Sequence, residues 1–313
     1  MTAPFADRLA EAVRSKRSSL VVGLDPRLDR LPASVRASAE RTGGEGDPRE
    51  VAAAAIERFD EAVIAEVADA AVAVKPQIAF YEQWGPPGLA AYEHAVRVAH
   101  AAGLLVIGDI KRGDIGSTAE AYARAHLGGG ASASGGEGGA PAADAVTVNP
   151  LLGSDSIAPF LRVASERGGG LFVLVRTSNP SAAELQDQAL PGGPLHHILA
   201  GLVELWGREL VGACGYSSVG AVVGATAPEE LGRLRKLMPH AWLLVPGVGA
   251  QGATPADVAG AYGRDGLGAV VNSSRGILYA YGDPSSAGWR PAIRDAARRL
   301  RDQLRDVALQ AAT

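Results

Sequence analysis

Asp109, Lys111 and Asp114 are the residues best equipped for chemistry, set in the stretch Val106-Ile-Gly-Asp109-Ile-Lys111-Arg-Gly-Asp114-Ile115. An apolar run ends by placing an acid and a base at alternate positions, and a second acid follows three residues on. Alternate residues of a strand share a face, so Asp109 and Lys111 are expected to project together, with Asp114 in the loop beyond. Burying two carboxylates around one ammonium is costly, and ordinary folding rarely needs it. A satisfied ion pair at a strand end would use the same residues, and local spacing leaves both alternatives open.

Such a set needs a rigid frame. Apolar strand-like runs at 20–25, 71–77, 104–111, 145–150, 171–178, 219–225, 242–248 and 269–274 alternate with helical patterns. Several are continuously apolar and rich in Val, as parallel strands covered on both faces would be. Helix starts are legible between them. Asp47-Pro48-Arg49-Glu50 offers an N-cap, a proline at the first helical position and a reciprocal Glu. Ser117-Thr-Ala-Glu120 has the pattern of a capping box, and Thr254-Pro-Ala-Asp257 a similar one. Eight strands, each followed by a helix, point to a single-domain α/β fold, a closed (β/α)8 TIM barrel spanning residues 1–313. An open doubly wound sheet is the alternative. Residues 128–143, rich in Gly, have almost nothing to bury and are expected to form a flexible surface insertion, and 31–46 form a second polar excursion. The N-terminal stretch carries Phe5, Leu9 and Val13 at helical spacing, and the segment 290–309 carries Leu300 and Leu304 on an apolar stripe.

Composition narrows the function classes. The chain has 313 residues, 47% hydrophobic but only 5% aromatic, so its core must come mainly from Ala, Val, Leu and Ile. A net charge of −4 without a basic stripe argues against nucleic acid as partner. Cys214 is the only cysteine, which rules out an internal disulfide and a thiolate zinc cluster and fits a small buried hydrophobe. The six histidines fit no metal spacing and are expected to be surface or packing residues. No uncharged apolar run reaches the roughly 18 residues of a membrane span. With no secretory signal, the sequon Asn272-Ser-Ser carries little meaning, and a cytoplasmic location is expected.

A barrel would turn scattered polar residues into a constellation, because barrel active sites form at the C-terminal ends of the strands. Asp25, Lys75, Asp109, Lys111, Ser178, Gln251 and Arg275 all fall at or just beyond such ends. Pro246-Gly-Val-Gly-Ala-Gln-Gly252 contains G-x-G-x-x-G but follows the seventh strand instead of opening a βαβ unit, which weakens a dinucleotide assignment. Loops after the seventh and eighth strands of a barrel commonly hold a phosphate, and Arg275 could add a bidentate contact, so a phosphomonoester ligand is favoured.

The motifs Gly-Leu-Asp25-Pro, Val-Lys75-Pro-Gln, Asp109-Ile-Lys111-Arg-Gly-Asp114-Ile-Gly-Ser-Thr118, Thr177-Ser178-Asn-Pro, Pro-Gly-Val-Gly-Ala-Gln251-Gly and Ser-Ser-Arg275-Gly276, in this order, closely resemble the orotidine 5′-phosphate decarboxylase family, above all its longer-chain (type 2) subgroup. The resemblance runs from about Val21 to Ile277. It implies a homodimeric barrel that decarboxylates orotidine monophosphate to uridine monophosphate, the last step of pyrimidine nucleotide synthesis, with no cofactor and no metal. Lys75, Asp109, Lys111 and Asp114 match the family's catalytic Lys-Asp-Lys-Asp array. Lys111 matches the proton donor, and Asp114 the acid that enters the partner subunit's site. Asp25 and Lys75 match contacts to the ribose hydroxyls, and Ile115 and Thr118 residues near a ligand bound across the dimer. Ser178, with Thr177 as an alternative, matches the pyrimidine contact. Gln251 and Arg275, next to Gly276, match the phosphate grip.

An ammonium flanked by Asp109 and Asp114 is expected to stay charged, since opposite charges favour its ionised form. It could lie against a carbanion whose electron pair sits in the ring plane, where the π system cannot delocalise it. The nearest rival is a sugar-phosphate decarboxylase or synthase of the same barrel superfamily, which resembles the chain at Asp-x-Lys-x-x-Asp but uses magnesium. Lys75 argues against it, because an ammonium repels a cation and cannot ligate one. A barrel that binds nucleotide phosphates without catalysis is a rival of another class, and its expected sign, a broken Lys-Asp-Lys-Asp set, is absent.

Overall fold

The computed structural model describes residues 3–43, 47–128, 141–249 and 252–312. Its strands are β1 (Leu20–Leu24), β2 (Ala73–Pro76), β3 (Leu105–Arg112), β4 (Ala145–Val148), β5 (Gly170–Arg176), a short pair β6 (Ala189–Leu190) and β7 (Gly193–Pro194), β8 (Ser217–Val223), β9 (Ala241–Pro246) and β10 (Ala269–Ser273). Eight of them close a barrel in the order β1-β10-β9-β8-β5-β4-β3-β2, every pair parallel. All eight expected runs are therefore barrel strands, and the open sheet is excluded. β6 and β7 form an antiparallel ribbon outside the barrel.

The α-helices are α1 (Phe5–Lys16), α2 (Ala33–Gly43), α3 (Pro48–Val67), α4 (Ala79–Glu82), α5 (Gly85–Ala101), α6 (Gly116–Leu127), α7 (Ser154–Arg167), α8 (Leu195–Gly207), α9 (Pro228–Leu237), α10 (Arg275–Leu278) and α11 (Trp289–Ala311). Two cores follow from this layering. The outer one lies between helices and sheet. The inner one fills the barrel with Val21, Ala73, Ile107, Ala145, Phe172, Leu244 and Val270, and α1 plugs its N-terminal end with Phe5, Leu9 and Val13. Phe5 meets Phe172 edge-on with centroids 5.9 Å apart, and Gly170 leaves the room for it, since a Cβ there would lie 2.2 Å from the Phe5 ring. One end of the barrel is thus sealed and the other left open. On α11, Leu304 is fully buried and Leu300 packs against the same core. Cys214 is half-buried and burial pushes its thiol up to about 11, so it packs as an inert apolar group.

The helix starts were only partly legible. Asp47 caps α3 by accepting from the Arg49 N–H at 2.9 Å, but it pairs with the Arg49 side chain where a reciprocal bond from Glu50 was expected. Thr254 and Asp257 do form a reciprocal box, opening a 3-10 helix over Pro255–Ala261. Ser117 is not an N-cap: Gly116, at φ 54°, already starts α6, and Glu120 pairs instead with Arg124 and Arg162. The expected insertion at 128–143 falls largely on 129–140, outside the described residues.

Candidate active site

The open end of the barrel forms a cavity of about 510 Å³, walled by residues of seven barrel strands and by Asp25, which directly follows β1. β2 and β3 supply its charges. Asp109 is the hub. Its Oδ2 accepts from Lys75 Nζ at 2.5 Å and from Gln77 Nε2 at 3.0 Å. Its Oδ1 accepts from Lys111 Nζ at 2.5 Å and from Thr147 Oγ1 at 2.8 Å. One carboxylate therefore bridges two ammonium groups and is held by two neutral donors.

The two lysines differ in their surroundings. The side chains of Lys75 and Asp109 are 7% and 8% exposed, whereas that of Lys111 is 44% exposed and stands in the open cavity. Burial works against the charge on Lys75, but the Asp109 and Asp25 carboxylates more than offset it and raise its pKa above the ordinary lysine value. For Asp109, burial alone would raise the pKa, yet the two ammonium groups hold it well below the usual carboxylate range. Lys75 and Asp109 are thus both ionised at neutral pH.

Lys111 reaches its place by a route that simple strand alternation does not describe. The register of β3 against β4 shifts between Gly108 and Arg112, and Lys111 takes a left-handed conformation at φ 48°. A bulge of this kind re-aims a side chain, and a left-handed non-glycine residue persists only where its surroundings hold it. Thr147, buried on β4, supplies that hold: its hydroxyl accepts the Lys111 N–H at 3.0 Å while donating to Asp109. Thr147 and Gln77 went unnoticed in the sequence. A Thr in an apolar strand is unremarkable there, and only the cross-strand register shows its two bonds.

Other expected residues gather around this hub. Asp25 lines the cavity beside β1, and its Oδ1 is buried without a hydrogen-bond partner. Asn272 on β10 presents a second such orphan, its Oδ1. Thr177, Ser178 and Arg275 also line the wall. The Thr177 hydroxyl is engaged with Asn179 at 2.6 Å and with Gln186 at 2.8 Å. Gly224 lets Ser178 approach closely, since a Cβ at 224 would lie 2.8 Å from that of Ser178. Gly276 follows Arg275 in α10 and borders a smaller neighbouring cavity. Gln251 lies outside the described residues.

Asp114, Ile115 and Thr118 do not join the cavity wall. Asp114 accepts from the Ile115 N–H at 2.7 Å and, among the described residues, makes no ion pair with either lysine. Within one chain, Lys111 is therefore paired with Asp109 and not flanked by both acids. His196 and His197, expected to be surface or packing residues, come together with Glu230 so that one ligand atom of each lies within 4.8 Å of the others.

A model of the orotidine 5′-phosphate decarboxylase / HUMPS family matches residues 18–290. The chain belongs to this family. Two curated relatives named orotidine 5′-phosphate decarboxylase are 44% identical, from Rhodopirellula baltica, over 96% of the chain and 99% of the relative, and 43% identical, from Deinococcus radiodurans, over 97% and 98%. The solved OMP decarboxylase of Leishmania donovani superposes with a TM-score of 0.73 at 32% identity, covering 98% of this chain and 99% of that one. Family membership thus extends over all eight barrel strands, including every described strand end that carries the charged cluster.

Proposed function

We propose that the chain is a carboxy-lyase that converts orotidine 5′-phosphate to uridine 5′-phosphate and carbon dioxide, in the pyrimidine pathway. The observation that carries this is the Asp109 carboxylate clamped between Lys75 and Lys111 at the open end of the barrel. When the C6–carboxylate bond breaks, its electron pair stays on C6 in the plane of the ring. Lys111, charged and exposed to the cavity, stabilises that pair electrostatically and then gives C6 a proton from Nζ. Water reaching the exposed amine replaces the proton. Lys75 stays charged between Asp109 and Asp25 and fixes the hub in one geometry. It also occupies the position where a magnesium-dependent sugar-phosphate enzyme would need a metal ligand, so that alternative is not adopted.

Roles for the remaining residues follow from what they offer. The unpartnered Asp25 oxygen, with Lys75, suits the ribose hydroxyls. Ser178 contacts the pyrimidine, since the Thr177 hydroxyl is already engaged by Gln186 and Asn179. Arg275, Gln251 and the Gly247–Val248 backbone grip the phosphate, with Gly276 keeping the start of α10 unobstructed.

A homodimer with shared sites belongs to the same proposal. Ile115 is 51% exposed and Leu151 and Leu152 are 70% and 53% exposed, on the neighbouring loops after β3 and β4. Exposed apolar side chains grouped beside a carboxylate suit a protein interface. A partner docked there would receive Asp114, Ile115 and Thr118 at its own cavity. A cytoplasmic location is also proposed, since a nucleotide monophosphate does not cross membranes unaided; among the described residues no helix is long and apolar enough to span one. The test is turnover of orotidine 5′-phosphate by the purified protein, followed by loss of ultraviolet absorbance, with and without magnesium. Turnover independent of magnesium is expected; no turnover under either condition overturns the proposal.

A further inference from the structure

Outside the barrel mouth, the first turns of α8 and α9 bring together His196, His197 and Glu230, whose ligand atoms all lie within 4.8 Å of one another. The Nε2 atoms of both imidazoles face the same carboxylate oxygen, that of His196 at 3.1 Å. Around a four-coordinate zinc with bonds of about 2.0–2.2 Å, neighbouring donors stand roughly 3.3 Å apart. The His196–Glu230 spacing is close to that value, and His197 lies closer still to the same oxygen, so the Glu230 side chain must draw back slightly to admit an ion. We infer that His196, His197 and Glu230 form a site for a single divalent transition-metal ion, with zinc the best match to two imidazoles and a carboxylate.

The orientation of the His196 ring supports this. Nδ1 of His196 lies 2.7 Å from the Gln186 carbonyl oxygen and 3.2 Å from an Asp187 carboxylate oxygen. Only an N–H satisfies both neighbours. A neutral ring with its proton on Nδ1 presents a lone pair at Nε2. His197 brings a third donor to the same point. An Nδ1–H held by a backbone carbonyl beside a carboxylate is also the arrangement that fixes the tautomer of a metal-ligating histidine. His196 is buried, whereas His197 and Glu230 are partly exposed, so solvent can reach an outer coordination position. Arg233 approaches the other Glu230 oxygen at 3.3 Å but is an exposed side chain that can swing away.

The site would brace the wall of the cavity without touching substrate. Gln186 holds His196 through its backbone oxygen and holds Thr177 through its side chain, accepting the Thr177 N–H at 2.8 Å. An ion at His196 therefore fastens the β5–α8 loop, which carries Thr177 and Ser178, to α9. The inference does not depend on the reaction the cavity performs.

Metal-stripped full-length protein titrated with zinc by calorimetry is expected to bind one ion per chain at submicromolar concentration. His197→Gln, at a partly exposed residue paired with Glu230, should fold and weaken binding by about 100-fold or more, and Glu230→Gln should do the same. His240→Ala, which disturbs only the separate pair with Glu204, should leave it unchanged. Cobalt(II) should give the intense visible absorption of a four-coordinate site in the wild type and lose it in His197→Gln. If the wild type binds zinc no more tightly than His197→Gln, or shows no such cobalt spectrum, the cluster is an ion-pair network and the inference is wrong.

Discussion

Thr147→Val is the sharpest perturbation of how the charged cluster is held. Valine keeps the β-branched shape on β4 but lacks the hydroxyl. The variant loses the 2.8 Å bond to Asp109 and leaves the Lys111 N–H without its 3.0 Å acceptor. A bond to a charged acceptor contributes about 1.5–3 kcal/mol, and an orphaned buried donor costs about 1–3 kcal/mol. The left-handed conformation of Lys111 stores about 1–3 kcal/mol of its own and relaxes when nothing opposes it. Part of the loss will appear as lower stability. If about 3 kcal/mol reaches the transition state through a misplaced Lys111, kcat falls roughly 100-fold. KM should change little, because the loops proposed to grip the phosphate lie on the far side of the barrel, after β9 and β10. Thr147→Ser keeps the hydroxyl and should restore most of the rate. Steady-state kinetics on the three proteins, with folding checked by circular dichroism, gives the answer. A folded Thr147→Val enzyme within a few-fold of wild-type kcat would refute the view that Thr147 positions Lys111.

Arg275→Ala should lower kcat/KM by roughly 3 kcal/mol or more, since a charged hydrogen bond to a remote phosphate helps to hold the reactive state; unchanged efficiency would remove Arg275 from the site. Asp60, wholly buried against Tyr81, has its pKa pushed up to about 7, so the folded state keeps a proton that the unfolded state releases near pH 4. This group therefore subtracts stability progressively between about pH 4 and pH 7, by up to roughly 4 kcal/mol. Lys75, with a raised pKa, contributes fully below about pH 10, and Asp109, with a lowered one, fully above about pH 4, so neither masks the effect. Urea midpoints should show Asp60→Asn gaining on the wild type between pH 5 and pH 8, and a constant difference would refute the assignment. Leu151→Glu should convert a dimer to monomers in sedimentation and abolish most activity; a fully active monomer would contradict shared sites.

The fold was legible because the barrel strands are largely apolar runs, most of them with a polar residue at or just beyond the C-terminal end; β8, which runs into Gly224-Ala225, and β9, which runs into Gly247-Val248, are the exceptions. The charged hub was legible for a related reason: Lys75, Asp109 and Lys111 interrupt runs that are otherwise wholly apolar, so their cost drew notice. What sequence could not supply was the register between strands. Thr147 differs in no local way from a core threonine until β4 is laid against β3 and the shift at Lys111 appears. Strand alternation placed Asp109 and Lys111 together for an incomplete reason, since the bulge does part of the work. Ser117 misled because Gly116 can take a positive φ and begin α6 earlier than a capping pattern suggests. His196 and Glu230 lie 34 residues apart on different helices, so no linear spacing could connect them.

In the proposed reaction the Lys111 ammonium, anchored by Asp109, meets the carbanion left at C6 and protonates it. The most direct measurement is single-turnover conversion of orotidine 5′-phosphate to uridine 5′-phosphate by Lys111→Ala, beside the wild type and with ligand binding to the variant measured separately. The variant is expected still to bind the product nucleotide but to form no detectable uridine 5′-phosphate. Product formation by Lys111→Ala at a rate near that of the wild type would contradict it.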